Sequence, residues 1–177
     1  LIADSAIKPP HGPMIGSVPE SSALFWVRTA KEAMVQIKMR PSQSTTFSIA
    51  SSKARSLESS DYTVTLGVDG LEPDTRYSYA VEVDDDLHAE PYQQFRTPPR
   101  AGSPAEFRVA FGGGAGYFPE NERMWDTVRA LNPSAFLMLG DNVYIDDPFR
   151  PAMQRYCYYR RQSIPGWRRL TASTSVY

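Results

Sequence analysis

The 177 residues suffice for one or two domains, and 19 Lys and Arg against 20 Asp and Glu leave a net charge of -1. So even a balance excludes the basic footprint that duplex nucleic acid requires, and no apolar run is long enough to form a membrane-spanning helix. The single cysteine, Cys157, rules out an internal disulfide or a CxxC metal site, and its setting among Tyr156, Tyr158 and Tyr159 reads as a small packed hydrophobe.

The start, Leu1-Ile2-Ala3-Asp4, has no methionine, basic segment or cleavage site, so a mature or clipped terminus of a secreted or periplasmic protein is expected. Short β-prone runs follow at Ser22–Arg28, Ala33–Met39 and Tyr62–Leu66, separated by Pro, Ser, Lys and Glu. Leu24 and Trp26 share a parity, as do Val35, Ile37 and Met39, and Val64 and Leu66; these sets are expected to line the inner faces of a sandwich. The two histidines, His11 after a Pro-Pro pair and His88 after an Asp run, read as exposed loop residues. Leu71-Glu72-Pro73-Asp74-Thr75-Arg76-Tyr77-Ser78-Tyr79 resembles the corner that leads into strand F of fibronectin type III-like domains, where a tyrosine hydroxyl ties the turn to upstream backbone. Tyr77 is the residue on which that role falls. A strand near Tyr92–Thr97 closes an all-β sandwich of fibronectin type III or immunoglobulin type over residues 1–99, and 100–104, within the proline-rich stretch Pro98–Pro104, reads as a linker.

From 105 onward the pattern changes. Phe107–Phe111 is β-prone, Gly112 to Gly116 holds four glycines, and Pro119 to Glu122 opens a helical pattern with Met124, Trp125, Val128 and Leu131 on one face. Asn132-Pro133 stops it. Ala135–Leu139 is a continuous apolar run and predicts a strand covered on both faces, after which Gly140 permits a turn into Asp141. Strand, glycine loop, helix and strand make a βαβ unit, whose right-handed crossover brings the glycine loop beside Asp141 at one sheet edge.

That edge carries the chemistry. Asp141, Asn142 and Tyr144 present a carboxylate, an amide and a phenol within four residues, as a buried strand delivers metal ligands. Turn chemistry at Asp141 and a half-buried aromatic at Tyr144 are the plainer reading of the same residues. The block Gly140-Asp141-x-x-Tyr144 resembles the GDxxY block of binuclear metallophosphoesterases, and Gly140-Asp141-Asn142-Val143-Tyr144-Ile145-Asp146-Asp147-Pro148 is closer to the alkaline phosphatase D family than to purple acid phosphatases. The resemblance implies that residues 105–177 begin an α/β metallophosphatase domain, a truncated four-layer αββα sandwich. It also implies two or more metal ions, Fe(III) with a divalent ion such as Ca, Zn or Mn, with Asp141 bridging them and Tyr144 binding the iron. The implied reaction is hydrolysis of a phosphate mono- or diester by a metal-activated water. Asn142 is then placed to hydrogen-bond the phosphate or to orient Asp141.

The sequence departs from that family at its first block, where Gly112, Gly113 and Gly114 stand in place of an Asp or Cys ligand. A carbonyl, a water or Glu120 can replace the ligand; alternatively the amides of Gly113 and Gly114 form a phosphate-binding nest, or the glycines are a turn that lets helix and strand pack closely. Histidine-bearing ligand blocks are missing as well, so the chain is expected to be an inactive fragment of a longer enzyme. The competing reading is a secreted β-sandwich interaction or carbohydrate-binding module joined to a degenerate phosphatase-like domain without metals. Beyond the block, Asp146 and Asp147 read as further oxygen donors or turn residues. Ala152–Arg161 predicts a helix with Met153, Tyr156 and Cys157 inward, and Arg160, Arg161, Arg168 and Arg169 read as phosphate contacts or a solvated face.

Overall fold

The computed structural model describes residues 10–116 and 122–177, so the helix opening at Pro119 and the substitute ligand Glu120 lie outside the described residues. Strands β1 (His11–Ile15), β2 (Ser22–Arg28) and β6 (Thr63–Asp69) form one antiparallel sheet in the order β1-β2-β6. Strands β3 (Ala33–Pro41), β4 (Ile49–Ala50), β7 (Arg76–Val83) and β8 (Asp86–Arg96) form the second, ordered β4-β3-β7-β8, with β5 (Ala54–Ser56) also paired to β3. Phe25 and Val27 from the first sheet meet Val35, Ile37, Met39 and Tyr79 from the second, all fully buried, which makes the pair a β-sandwich.

The inner parity of β3 is the expected one, whereas that of β2 is reversed. Ala23, Phe25 and Val27 face the core and Leu24 is 44% exposed. The cause lies in the register: Ala23, Phe25 and Val27 stand opposite Val68, Leu66 and Val64 of β6, and residues directly opposite share a face. Tyr77 is the corner tyrosine, its hydroxyl accepting the amide of Glu72 at 2.8 Å. Asp84 and Asp85 turn β7 into β8 with φ of 49° and 67°, the left-handed pair that a tight hairpin requires. His88 is therefore half-buried within a strand and not in a loop.

Downstream, β9 (Val109–Gly112), β10 (Ala135–Met138) and β11 (Ser175–Val176) form a parallel sheet with β10 in the middle. Helices α1 (Met124–Ala130), α2 (Pro151–Ser163) and α3 (Pro165–Thr171) pack beside it. Trp125 of α1 stands edge-on to Phe136 and to Trp167, with ring centroids 5.8 Å and 4.8 Å apart, and these residues with Leu170 form a second core. The α1 face is only half used, since Trp125 is buried while Met124 and Leu131 are exposed. On α2, Cys157 is buried but Tyr156 points outward. Strand β10 is not covered on both faces either: Phe136 is buried, whereas Leu139 just beyond it is 65% exposed.

The two cores meet along β1. Met14 packs against the second core, the Tyr79 hydroxyl donates to the carbonyl of Ala172 at 2.7 Å, and Arg168 donates to the carbonyl of Gly12 at 3.0 Å. His11, expected in an exposed loop, is the first residue of β1 and only 5% exposed because α2 covers it. Its Nε2 lies 3.1 Å from the Ser163 hydroxyl and its ring 5.3 Å from that of Tyr159. Burial, then the charges of Arg28 and Arg168, lower its pKa to about 4.

Candidate active site

The carboxyl ends of β9 and β10 run side by side, with Met138 opposite Gly112, so the loops leaving them are neighbours. The amide of Leu139 donates to the carbonyl of Gly112 at 2.8 Å, and that of Gly114 to the carbonyl of Gly140 at 3.3 Å. A Cβ at residue 113 would stand 2.8 Å from the Gly140 carbonyl oxygen, a separation real Cβ atoms do not adopt. Gly113 is therefore where the loops approach most closely, and no side-chain ligand fits there without parting them. Gly114 has φ of 72° and Asp141 has φ of 50°; aspartate tolerates this left-handed backbone better than most side chains.

That conformation presents Asp141 to Tyr144. The Tyr144 hydroxyl donates to Asp141 Oδ2 at 3.0 Å, and a Cβ on Gly114 would lie 3.7 Å from the same hydroxyl. The hydrogen bond to Asp141 holds the Tyr144 phenol above its ordinary pKa. Tyr144 is 44% exposed and Asp141 is exposed, so both oxygens are open to a ligand. The structure thus brings together Asp141, Tyr144, Gly113 and Gly114. Asn142 is also at the surface, and its carbonyl accepts from Arg161 Nε at 3.3 Å. Asp147 pairs with Arg150 at 2.8 Å, a turn contact. Among the described residues no group of three or more His, Cys, Asp and Glu converges as a metal cage.

A buried ion pair that the sequence did not reveal lies beneath these loops. Glu122 and Arg161 are 1% and 2% exposed and pair through Glu122 Oε2 and Arg161 Nη1. The same carboxylate oxygen accepts the indole N–H of Trp125. Arg161 Nη2 donates to the carbonyl of Ala115 at 2.6 Å. One signal was available: Met153, Cys157 and Arg161 are spaced i, i+4, i+8, so a helix that buries Cys157 turns Arg161 to the same side. Of the other arginines, Arg169 pairs with Asp126 at 2.6 Å and Arg160 lies over the Tyr156 ring at 5.6 Å.

Comparison with known proteins agrees with this architecture. A family model described as "Domain of unknown function (DUF7800)" matches residues 10–101, and no curated protein matches the chain in sequence. The structure of PhoD superimposes with a TM-score of 0.82 at 16% identity, over 99% of this chain and 39% of PhoD. A purple acid phosphatase from yellow lupin (Lupinus luteus) seeds superimposes with a TM-score of 0.63 at 10% identity, over 95% of this chain and 35% of the phosphatase. The chain therefore spans about two fifths or less of the length of the structures it resembles. Among the described residues no helix is long and apolar enough to cross a membrane.

Proposed function

The chain belongs to the DUF7800 family through residues 10–101, and from that premise we propose that it is the leading part of a metal-dependent phosphoesterase whose site begins at Asp141 and Tyr144. The observation that carries this reading is the Asp141–Tyr144 pair, 3.0 Å apart, set against the glycine loop at the carboxyl edge of a parallel sheet. The shared architecture with PhoD over 99% of the chain supports the fold that places them there.

The donor chemistry at this edge fits a hard cation in part. Asp141 and Tyr144 supply two oxygens on one loop, fewer than the roughly four to six donors of a stable site. When bound, a metal pair supplies a nucleophile at neutral pH and neutralises charge on the phosphoryl oxygens. Asp141, exposed and with a left-handed backbone, would help hold the cations. Tyr144 would hold the iron, once its phenolic proton has left. Gly113 and Gly114 keep the facing loop free of side chains, which leaves the Gly113 amide for the substrate phosphate, since that of Gly114 already donates to the Gly140 carbonyl. Asn142 is placed to orient the phosphate from the same loop. In this reading residues 1–99, 100–104 and 105–177 are sandwich, linker and phosphoesterase start, and the protein works outside the cytoplasm.

A second reading rests on a specific observation. Gly113 cannot carry a ligand side chain against the Gly140 carbonyl, which is what a degenerate, metal-free phosphatase-like domain beside an interaction sandwich would show. One experiment separates the two. In the full-length protein, Asp141→Asn is expected to abolish turnover of p-nitrophenyl phosphate and to lower bound metal, and Tyr144→Phe to remove any visible phenolate-to-iron absorption. An Asp141→Asn protein with unchanged rate and metal content overturns the site at Asp141, and a wild type with neither turnover nor bound metal favours the second reading.

A further inference from the structure

Arg161 lies in the last turn of α2, and among the described residues its guanidinium reaches three separate segments of chain. Nη1 meets the Glu122 carboxylate, Nη2 donates to Ala115 in the glycine loop at 2.6 Å, and Nε donates to Asn142 beside Asp141 at 3.3 Å. The rings of Trp125 and Trp167 flank the guanidinium at 5.5 Å and 5.8 Å. A planar fork of donors can hold three acceptors in fixed directions, which an ammonium on a flexible stem cannot. Glu122 supplies the opposite charge without which a buried cation is strongly unfavourable.

From this geometry we infer that Arg161 is a positioning residue that clamps the glycine loop to the Asp141 loop from beneath. At 2% exposure it lies under the site and not at its surface. It sets how far Asp141 and Tyr144 stand from the backbone of Gly114, and so prepares the site before any ligand arrives. The clamp itself rests on the contacts described; its catalytic consequence rests on the phosphoesterase reading.

The test uses the full-length protein and two variants. Arg161→Met/Glu122→Gln removes both buried charges together, so no lone ion is left, and Arg161→Lys keeps the charge but not the fork. Peptide-resolved amide hydrogen exchange over residues 112–116 and 139–144 is measured beside kcat and KM for p-nitrophenyl phosphate. In the double variant, exchange in both loops is expected to rise by about tenfold or more, as befits the loss of charge-assisted hydrogen bonds, while β7 and β8 keep their protection. The kcat is expected to fall on the order of a hundredfold with KM nearly unchanged, the signature of displaced groups and not of lost substrate contacts. Arg161→Lys is expected to fall between. Loops that retain wild-type protection in the double variant overturn the clamp, as does an Arg161→Lys protein equal to wild type in exchange and kcat. If the double variant does not fold, Arg161→Lys decides alone. Faster loop exchange in a protein whose wild type has no ester turnover supports the clamp and overturns the phosphoesterase reading.

Discussion

In the sandwich, Phe25, Val27, Val35, Ile37 and Met39 are lost to water entirely, and each sheet offers its alternate residues to one shared interior. In the parallel sheet, Phe136 is buried while Val109, Phe111 and Leu139 remain 42%, 69% and 65% exposed. The same kinds of apolar residue thus close a core in one region and leave a face open in the other. Alternation in β3 marks one side for the core and leaves the other only partly covered. The run Ala135–Leu139 has no such alternation, and reads as a strand meant for cover on both sides. What differs between the regions is how much of the required cover the chain supplies.

The contrast breaks first on core truncations. Phe25 touches the rings of Tyr79 and Phe95, so Phe25→Ala is expected to cost about 4 kcal/mol in denaturant unfolding. Phe111→Ser, on the open face, is expected to stay within about 0.5 kcal/mol and to reduce self-association. Equal losses would show that the parallel sheet is as closed as the sandwich.

The seam between the regions gives the next effect. His11 titrates near pH 4 in the folded protein against its ordinary 6.5, so the unfolded chain binds the proton more tightly. Stability is complete above pH 6.5 and is lost as pH falls toward 4, by up to about 3 kcal/mol. Urea midpoints between pH 7 and 4.5 should fall in wild type and stay level in His11→Asn across that window. A wild-type profile as flat as the variant's would show that His11 is not sealed by α2.

Smaller effects distinguish the two tyrosines of β7. Tyr77→Phe strips an acceptor from the Glu72 amide inside the sandwich, and Tyr79→Phe strips a donor from the Ala172 carbonyl across the seam. Each is expected to cost roughly 1–2 kcal/mol, with Tyr79→Phe alone loosening α3 in amide exchange. Least disruptive is a cut in the exposed stretch at 100–106. After limited trypsin digestion at Arg100, the two pieces are expected to elute together on gel filtration and to part only in urea, because Tyr79, Arg168 and Tyr159 bridge them. Separate elution without urea would make the regions independent bodies.

Local rules read well wherever the answer lay in neighbouring residues. The inner row of β3 and the closeness of the glycine loop to Asp141 follow from spacing and strand handedness, and the Tyr77 corner from the resemblance of its segment to fibronectin type III-like domains. The parity of β2 was misread because Leu24 and Trp26 are as apolar as Ala23, Phe25 and Val27, so only pairing with β6 decides which set turns inward. His11 was misread because its cover arrives from Ser163, more than a hundred residues away. The nearness of Asp141 to Tyr144 was legible from their spacing, whereas Arg161 read as a phosphate contact or a solvated face and Glu122 only as part of a helix opening. Nothing near either one in the chain announces a partner 39 positions distant.

Helix α2 also acts as a ruler. Tyr159 grips Asp61 of the sandwich, and Arg161, two residues on, reaches the opposite side. A residue inserted or deleted between them would swing one anchor by roughly 100° about the helix axis. Substitutions elsewhere on the exposed rim of α2 can accumulate freely, but a change of length at residue 160 would unseat one end or the other, so this segment should tolerate altered letters and not altered counts.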